Sequence, residues 1–332
     1  MTVFYLDGQR IEFKPTETVL DALIRHGQGI NYSCKKGVCK TCLLQQVGGR
    51  VEVGAQRGLS SSLKQKHYIC ACQCRASADL QFKSILEQDL FALGNIESKT
   101  LLNESMVSIL IRLKQPIAYE PGQYFNFRRF DGLTRSYCPV NNSGDPLLEI
   151  HVKRKYNGQF SDWLYHRAGV GEPILVQGPL GQSYYQEEYS KEKLIIIAFG
   201  SGLGVAYGVA SQALARGHQG EVYLYVGVRD ENELYQHTKL LKMMLEYRNF
   251  TYQACITGQT PPREMGRCVS LGDPFHQATQ VHKLDRQAHL FLCGDAKPVN
   301  HARELAFLNG YPVEHIHTLS FEYKDLRKRI RQ

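Results

Sequence analysis

The sequence predicts a multidomain chain: α+β at its N-terminus, a strand-rich antiparallel β-barrel in its middle, and an α/β unit with a parallel sheet at its C-terminus. Three observations carry that expectation. At 332 residues the chain is too long for one ordinary hydrophobic core. Six of its ten cysteines fall between Cys34 and Cys74. Near residue 193 the pattern changes from short strands broken by Gly, Pro and Asn to buried strands alternating with helices.

The elements follow in order. Residues 2–13 alternate apolar and polar around Asp7-Gly8, a dipeptide suited to a tight hairpin turn, so two short strands are expected. A helix comes next, capped by Thr16 or Thr18, with Val19, Leu20, Leu23 and Ile24 on one face and Gly27 closing it. A cysteine-rich loop, a second hairpin across Gly48-Gly49 and a cysteine group at 70–74 complete a small α+β plan. Residues 83–98 read as a connector without a sustained strand pattern. From about 104 to 187, β-type segments at 105–113, 147–154 and 173–177 fit a barrel. Beyond 193, KLIIIAFGSGLG is a buried strand running into a glycine turn, Val205–Leu214 a helix, EVYLYVGVR and HLFLCGD further buried strands.

Composition narrows the function. A hydrophobic fraction of 43% with 22% charged residues is that of a globular protein. The start, MTVFYLDGQRIEF, lacks the charged head, apolar run and small-residue cleavage site of a signal peptide. The longest apolar run, Leu194 to Phe199, is far below the roughly 20 residues that span a bilayer. A cytoplasmic protein without a membrane span is expected, and there ten cysteines point to metal or redox chemistry rather than to disulfides. The formal charge of +8 is spread along the chain with no helix-turn-helix, finger or RNA-binding signature, so nucleic acid is not an expected partner. The basic C-terminal KDLRKRIRQ reads as a solvated helix end.

The cysteines are the most specific signal. Cys34, Cys39 and Cys42 stand at C-x4-C-x2-C spacing, and Cys72 follows after 29 intervening residues. Two irons and two sulfides need four thiolates, and a tight loop can supply three while a distant strand end supplies the fourth. Gly37 lies in the loop, where the backbone must curl and can aim N–H groups at sulfur. A zinc knuckle would show two C-x2-C pairs; the x4-x2 spacing resembles plant-type [2Fe-2S] ferredoxins. Cys72 is preferred over Cys70 and Cys74 because YICACQC resembles that family's pattern, which leaves the other two as structural thiols. Lys35, Lys36 and Lys40 flank the ligands, and residues 1–88 hold 12 Lys and Arg against 7 Asp and Glu. Those lysines either offset the cluster's charge or steer an acidic partner.

The resemblance extends over nearly the whole chain, which is similar to the ferredoxin-NAD(P)+ reductase superfamily in the arrangement of the reductase components of bacterial multicomponent oxygenases. It implies a β-grasp [2Fe-2S] ferredoxin domain at 1–88, an FAD-binding β-barrel at 96–188 and an NAD(P)-binding α/β domain at 189–332. For the flavin, the family's Arg-x-Tyr-Ser/Thr stretch reads Arg135, Ser136, Tyr137, Cys138 here, with Arg135 for the flavin phosphate and Tyr137 for an isoalloxazine face. His151, Val152 and Lys153 match the next family strand, whose backbone lies along the flavin. Gly158, Gln159, Phe160 and Ser161 match a pyrophosphate-binding turn and helix start. Cys138 departs from the family's hydroxyl residue at the reactive flavin edge, and a thiol is a weaker donor.

For the nucleotide, the resemblance implies a pyrophosphate turn at Gly200, Ser201, Gly202, Leu203 and Gly204, an adenosine-side loop with Gly227 and Arg229, and a motif at Cys293, Gly294 and Asp295 that places a cysteine beside the nicotinamide. Phe199 stands where the family has its first glycine, and Val205 where it has proline. Cys138 and Cys293 are thus the catalytic candidates. The implied function is electron transfer from NADH, or NADPH, through FAD and a [2Fe-2S] cluster to a partner protein, an oxygenase component. A partner such as a deoxysugar dehydratase, or a carrier fed by another protein without NAD(P)H, are the alternatives.

Overall fold

A computed structural model describes residues 2–32, 34–59, 61–85, 90–142, 146–258, 266, 268–283 and 285–321. The basic C-terminal segment 324–332 lies outside the described residues.

The first sheet has five strands in the order β2-β1-β5-β3-β4. They are β1 (Val3–Leu6), β2 (Gln9–Glu12), β3 (Leu43–Gly48), β4 (Tyr68–Cys70) and β5 (Gln81–Lys83). The hairpin at Asp7-Gly8 forms as expected, with Leu6 opposite Gln9. Helix α1 (Val19–Arg25) is capped by Thr18, whose hydroxyl accepts from the Asp21 N–H, and it buries Val19, Leu20, Ala22 and Leu23 against Phe4, Ile69 and Phe82. No hairpin crosses Gly48-Gly49. Gly49 has φ +75° and a Cβ there would lie 2.6 Å from the Asp79 carbonyl oxygen, so the close approach of another backbone fixes the glycine. The chain then runs through a short 3-10 turn and α2 (Ser61–Gln65) before β4 returns to pair with β3.

The second sheet is antiparallel, in the order β10-β7-β6-β11-β8-β9. Its strands are β6 (Ala92–Leu101), β7 (Met106–Leu113), β8 (Tyr124–Arg128), β9 (Thr134–Tyr137), β10 (Leu147–Lys153) and β11 (Pro173–Leu180). Pro139 bridges to Ile150 and the Val140 N–H donates to the Glu149 carbonyl, which joins the two edge strands and closes the barrel. Strand β6 occupies part of the segment expected to be a connector. Its Ser, Lys, Asn and Glu residues hide the alternation, and one register shift between Ile96 and Ser98 breaks the period of two.

The third sheet is wholly parallel, in the order β15-β14-β13-β12-β16-β17. It comprises β12 (Leu194–Phe199), β13 (Val222–Val228), β14 (Phe250–Ile256), β15 (Val269–Leu271), β16 (His289–Asp295) and β17 (Ile316–Phe321), with α3 (Leu203–Ala215), α4 (His237–Glu246), α5 (Pro274–His282) and α6 (Ala296–Leu308) between them. Two cores cover its two faces. The strand order reverses at β12, whose neighbours are β13 and β16, so a crevice opens at their carboxyl ends, where parallel sheets bind ligands. No helix among the described residues is long and apolar enough to cross a membrane.

Candidate functional site

The cysteine loop lies between α1 and β3. Gly37 has φ +74°, and a Cβ on it would lie 2.6 Å from Gln73 Cγ, so the loop is pressed onto the Cys72 segment. Its thiols gather with those at 70–72 into a pair, Cys34 with Cys39, and a trio, Cys42 with Cys70 and Cys72. The N–H groups of Cys34 and Cys39 donate to each other's sulfurs at 3.4 and 3.3 Å, and the Lys36 N–H donates to Cys34 Sγ at 3.3 Å. The Cys42 thiol is hydrogen-bonded to both Cys72 and Cys70. The Cys39 side chain, followed by the N–H groups around it, holds the Cys34 thiol down, while Cys39 is pushed up. Cys72 also receives the Gly37 N–H and the Gln73 amide, the latter at 3.6 Å. Among the described residues no three metal-ligating side chains converge on a single ion. Cys34 with Cys39, and Cys42 with Cys72, fit a cluster whose two irons take two thiolates apiece, and Cys70 lies beside the second pair.

Of the three flanking lysines, Lys40 is not a surface charge. It is buried, and its ammonium donates to the carbonyls of Gly37 and Arg57, the latter at 2.7 Å, bracing the loop from inside. Lys35 pairs with Asp21 at 3.1 Å, and Lys36 is exposed.

Strand β9 carries Arg135, Ser136 and Tyr137. Tyr137 packs against Phe127 and lies 6.0 Å from Phe160 in a stacked arrangement on the barrel side. Arg135 is partly desolvated, which lowers its pKa, and its guanidinium reaches its own strand at the Thr134 carbonyl. Ser136 points to the opposite face and donates to Asn126 at 2.7 Å. Burial pushes the Cys138 thiol up to about 12, so it stays protonated at neutral pH. Phe160 and Val152 point into the barrel core, which leaves their backbones for any ligand. The Gly158 turn is tight: a Cβ there would meet Ser161 Oγ at 2.5 Å, and the Lys155 N–H donates to that hydroxyl at 3.2 Å.

Strand β10 presents Glu149, His151 and Lys153 toward the parallel-sheet domain. Glu149 accepts from Ser108 at 2.7 Å and pairs with His151 Nε2 at 3.1 Å; the His151 contact, ahead of the Ser108 bond, holds the carboxyl down to about 2. Lys153 pairs with Glu233 at 3.2 Å across the domain boundary. Glu233 also takes the N–H and the guanidinium of Arg229, at 3.1 and 2.8 Å. Arg229 is thus paired with Glu233 while its side chain stays largely exposed. Gly227 is less open than expected, since Pro274 fills the place of its missing side chain at 2.6 Å.

The crevice floor is built by glycines. A Cβ on Gly202 would lie 2.2 Å from the Cys293 carbonyl oxygen, and one on Gly294 2.3 Å from that of Phe199. Only bare backbone lets the turn after β12 sit on the end of β16. Gly200, with φ +55°, faces open space, and α3 begins at Leu203 without a side-chain cap, which leaves its first N–H groups for an anion. Leu203 itself points into the core. Cys293 is buried in the core of the parallel-sheet domain, and Cys138 packs against that same core across the boundary of barrel and parallel sheet. His151 Nδ1 and Asp295 Oδ1 are buried without hydrogen-bond partners on opposite sides of that boundary. A cradle of glycines, a free helix start and two orphaned polar atoms fit a bound dinucleotide and a flavin between the domains.

Three successive sites, for an iron-sulfur cluster, a flavin and a nicotinamide nucleotide, define a flavin-dependent electron-transfer oxidoreductase. The family comparisons agree: residues 4–77 match the 2Fe-2S iron-sulfur cluster binding domain, 94–185 the oxidoreductase FAD-binding domain and 196–329 the oxidoreductase NAD-binding domain. The reductase subunit of an aromatic O-demethylase from an Amycolatopsis species is 30% identical over 274 residues, 78% of this chain and 81% of that protein. The ferredoxin–NAD(P)+ reductase component of a Pseudomonas putida naphthalene 1,2-dioxygenase system is 25% identical, over 94% of this chain and 95% of that protein. The crystal structure of the Amycolatopsis reductase GcoB superposes with a TM-score of 0.68 at 26% identity, covering 97% of this chain and 99% of that one. The chain belongs to the ferredoxin-NAD(P)+ reductase superfamily, with its ferredoxin domain first.

Sequence reasoning gave no role to Tyr124 and Asn126 on β8 or to Gln177 on β11. The first two sit in YFNFR, whose strict alternation already places them opposite the core-facing Phe125 and Phe127.

Proposed function

We propose that this protein carries electrons from NADH to the oxygenase component of a cytoplasmic multicomponent system. The reading uses a ferredoxin domain at 1–88, a flavin barrel at 96–188 and a nucleotide domain at 189–332. The bound groups would supply the chemistry, FAD as a hydride acceptor and the [2Fe-2S] cluster as a one-electron outlet. The chain supplies placement. Cys34, Cys39, Cys42 and Cys72 hold the cluster; Arg135 and the turn at Gly158–Ser161 hold flavin phosphates; Tyr137 covers the ring; the backbones of Ser136 and of His151–Lys153 line it. Gly200, Ser201, Gly202, Leu203 and Gly204 take the pyrophosphate, with Gly227, Arg229, Gly294 and Asp295 around the nucleotide. Cys138 and Cys293 flank the place where nicotinamide and flavin meet, and both thiols stay protonated and uncharged there because burial raises them.

The observation that carries this reading is contact in series: the cluster loop touches β8, β8 pairs with the flavin strand β9, and Cys138 just after β9 packs against the core that holds Cys293 of the crevice. NADH is favoured because Glu233 already occupies Arg229, so a 2′-phosphate would have to displace a carboxylate. Steady-state reduction of ferricyanide tests the donor. A higher kcat/KM with NADH than with NADPH is expected, and the reverse order would refute the assignment.

A further inference from the structure

Strand β8 has two faces. Phe125 and Phe127 enter the barrel core, while Tyr124 and Asn126 face the ferredoxin domain. These two side chains bind consecutive carbonyls of the cysteine loop: the Tyr124 hydroxyl donates to the Val38 carbonyl, and Asn126 Nδ2 donates to that of Cys39 at 2.7 Å. Asn126 is fully buried, and its remaining side-chain hydrogen bonds run along one row. Its register partners are Ser136 on β9 and Gln177 on β11. Nδ2 also donates to Gln177 Oε1 at 2.7 Å, and Oδ1 accepts from Ser136 Oγ at 2.7 Å. A transverse polar row therefore crosses three strands, and its middle member, Asn126, also binds the main chain of a cysteine proposed to hold the cluster. One end of the row, Ser136, stands between Arg135 and Tyr137.

A buried amide with both donor hydrogens and its oxygen engaged has one orientation, and it fixes whatever it binds. We propose that Asn126 is the positioning residue that locks the cluster loop to the flavin strand and so sets the rate of electron transfer between flavin and cluster. The inference rests on the electron-transfer reading above. In that reading the two-electron-reduced flavin gives one electron at a time to the oxidised cluster, the partner takes each in turn, and the flavin protons pass to solvent. Nothing in the row touches the nucleotide crevice, so hydride arrival and electron departure are separately addressable.

The test is Asn126→Asp, which preserves size but replaces the donor aimed at Cys39 O and Gln177 Oε1 with an acceptor. Anaerobic stopped-flow with NADH follows flavin and cluster bands separately. Hydrogen exchange over residues 34–42 is read in the same protein, and an EPR titration gives the cluster midpoint. Flavin bleaching at the wild-type rate, cluster reduction slowed about tenfold or more, faster loop exchange and an unchanged midpoint are expected. Cluster reduction at the wild-type rate in protein with full iron and sulfide content would overturn the proposal. A slowed step accompanied by a moved midpoint would also overturn it, because driving force rather than position would then be the cause. If the aspartate variant fails to take up its cluster, Tyr124→Phe removes the neighbouring tie of β8 to the Val38 carbonyl of the same loop and should slow the same step severalfold, an unchanged rate again counting against the idea. Failure of wild-type flavin to bleach with NADH or NADPH would refute the function, whereas unchanged loop exchange in the variant would refute the tie itself.

Discussion

The closest backbone approach in the nucleotide crevice makes a quantitative test. At Gly202 the backbone is ordinary, φ −62°, so Ala adds no torsional strain; the obstacle is contact alone. Its Cβ would lie 2.2 Å from Cys293 O, 2.5 Å from Cys293 C and 2.7 Å from Gly294 Cα, all main-chain atoms. Strand β16 is held by β12 on one side and β17 on the other, so the turn and strand must part by about 1 Å against a close-packed sheet. Overpacking of this kind costs about 2 kcal/mol, which lowers the Tm of the nucleotide domain by about 4–8 °C. The same displacement moves the pyrophosphate turn relative to Cys293, and flavin reduction by NADH should fall about tenfold to a hundredfold. Gly200→Ala is the control: it imposes the strain of φ +55°, about 1 kcal/mol, but meets no atom within 4 Å and leaves β16 in place. Calorimetry with single-turnover kinetics reads both variants. Wild-type stability and wild-type flavin reduction in Gly202→Ala would refute the reasoning.

Further outcomes follow from the same structure. Cys72→Ser should lose the visible absorbance and EPR signal of the cluster while Cys70→Ser retains them; the reverse would reassign the fourth ligand. Cys138→Ser, which exchanges a buried protonated thiol for a stronger donor, should raise the rate of flavin reduction severalfold, and a slower variant would count against that placement. His317 is held neutral by burial, with its pKa lowered to about 4, and His289 and His315 beside it oppose its charging. Its stabilising contribution is full above the unfolded histidine pKa near 6.5 and is lost as pH falls toward 4. The loss is about 2 kcal/mol at pH 5 relative to pH 7, and His317→Gln should flatten that slope in denaturant titrations.

Much of this was legible from the chain. The C-x4-C-x2-C spacing is a local constraint, and Val19, Leu20 and Leu23 mark α1 because a short helix shows its buried face directly. Strands β12, β13 and β16 are apolar on both faces and unmistakable. The hairpin across Gly48-Gly49 was not there because that glycine answers to Asp79, a backbone contact thirty residues away that no local pattern records. Strand β6 was hidden by a register shift and by polar residues on its outer face. Lys40 looked like a surface charge beside its two neighbours, but its positive φ of 55° turns the side chain inward onto two carbonyls. Gly227 reads as a ligand contact, and the sequence does not show that Pro274 also stands where its side chain would be. The row through Asn126 depends on which strands lie beside β8, which is tertiary information.

The most direct test of the account is anaerobic stopped-flow mixing of flavin-loaded, cluster-loaded protein with NADH, following the flavin near 450 nm and the cluster bands together. Rapid flavin bleaching followed by cluster reduction is the predicted result. A flavin and cluster that both respond to dithionite but stay oxidised with NADH and with NADPH would contradict it.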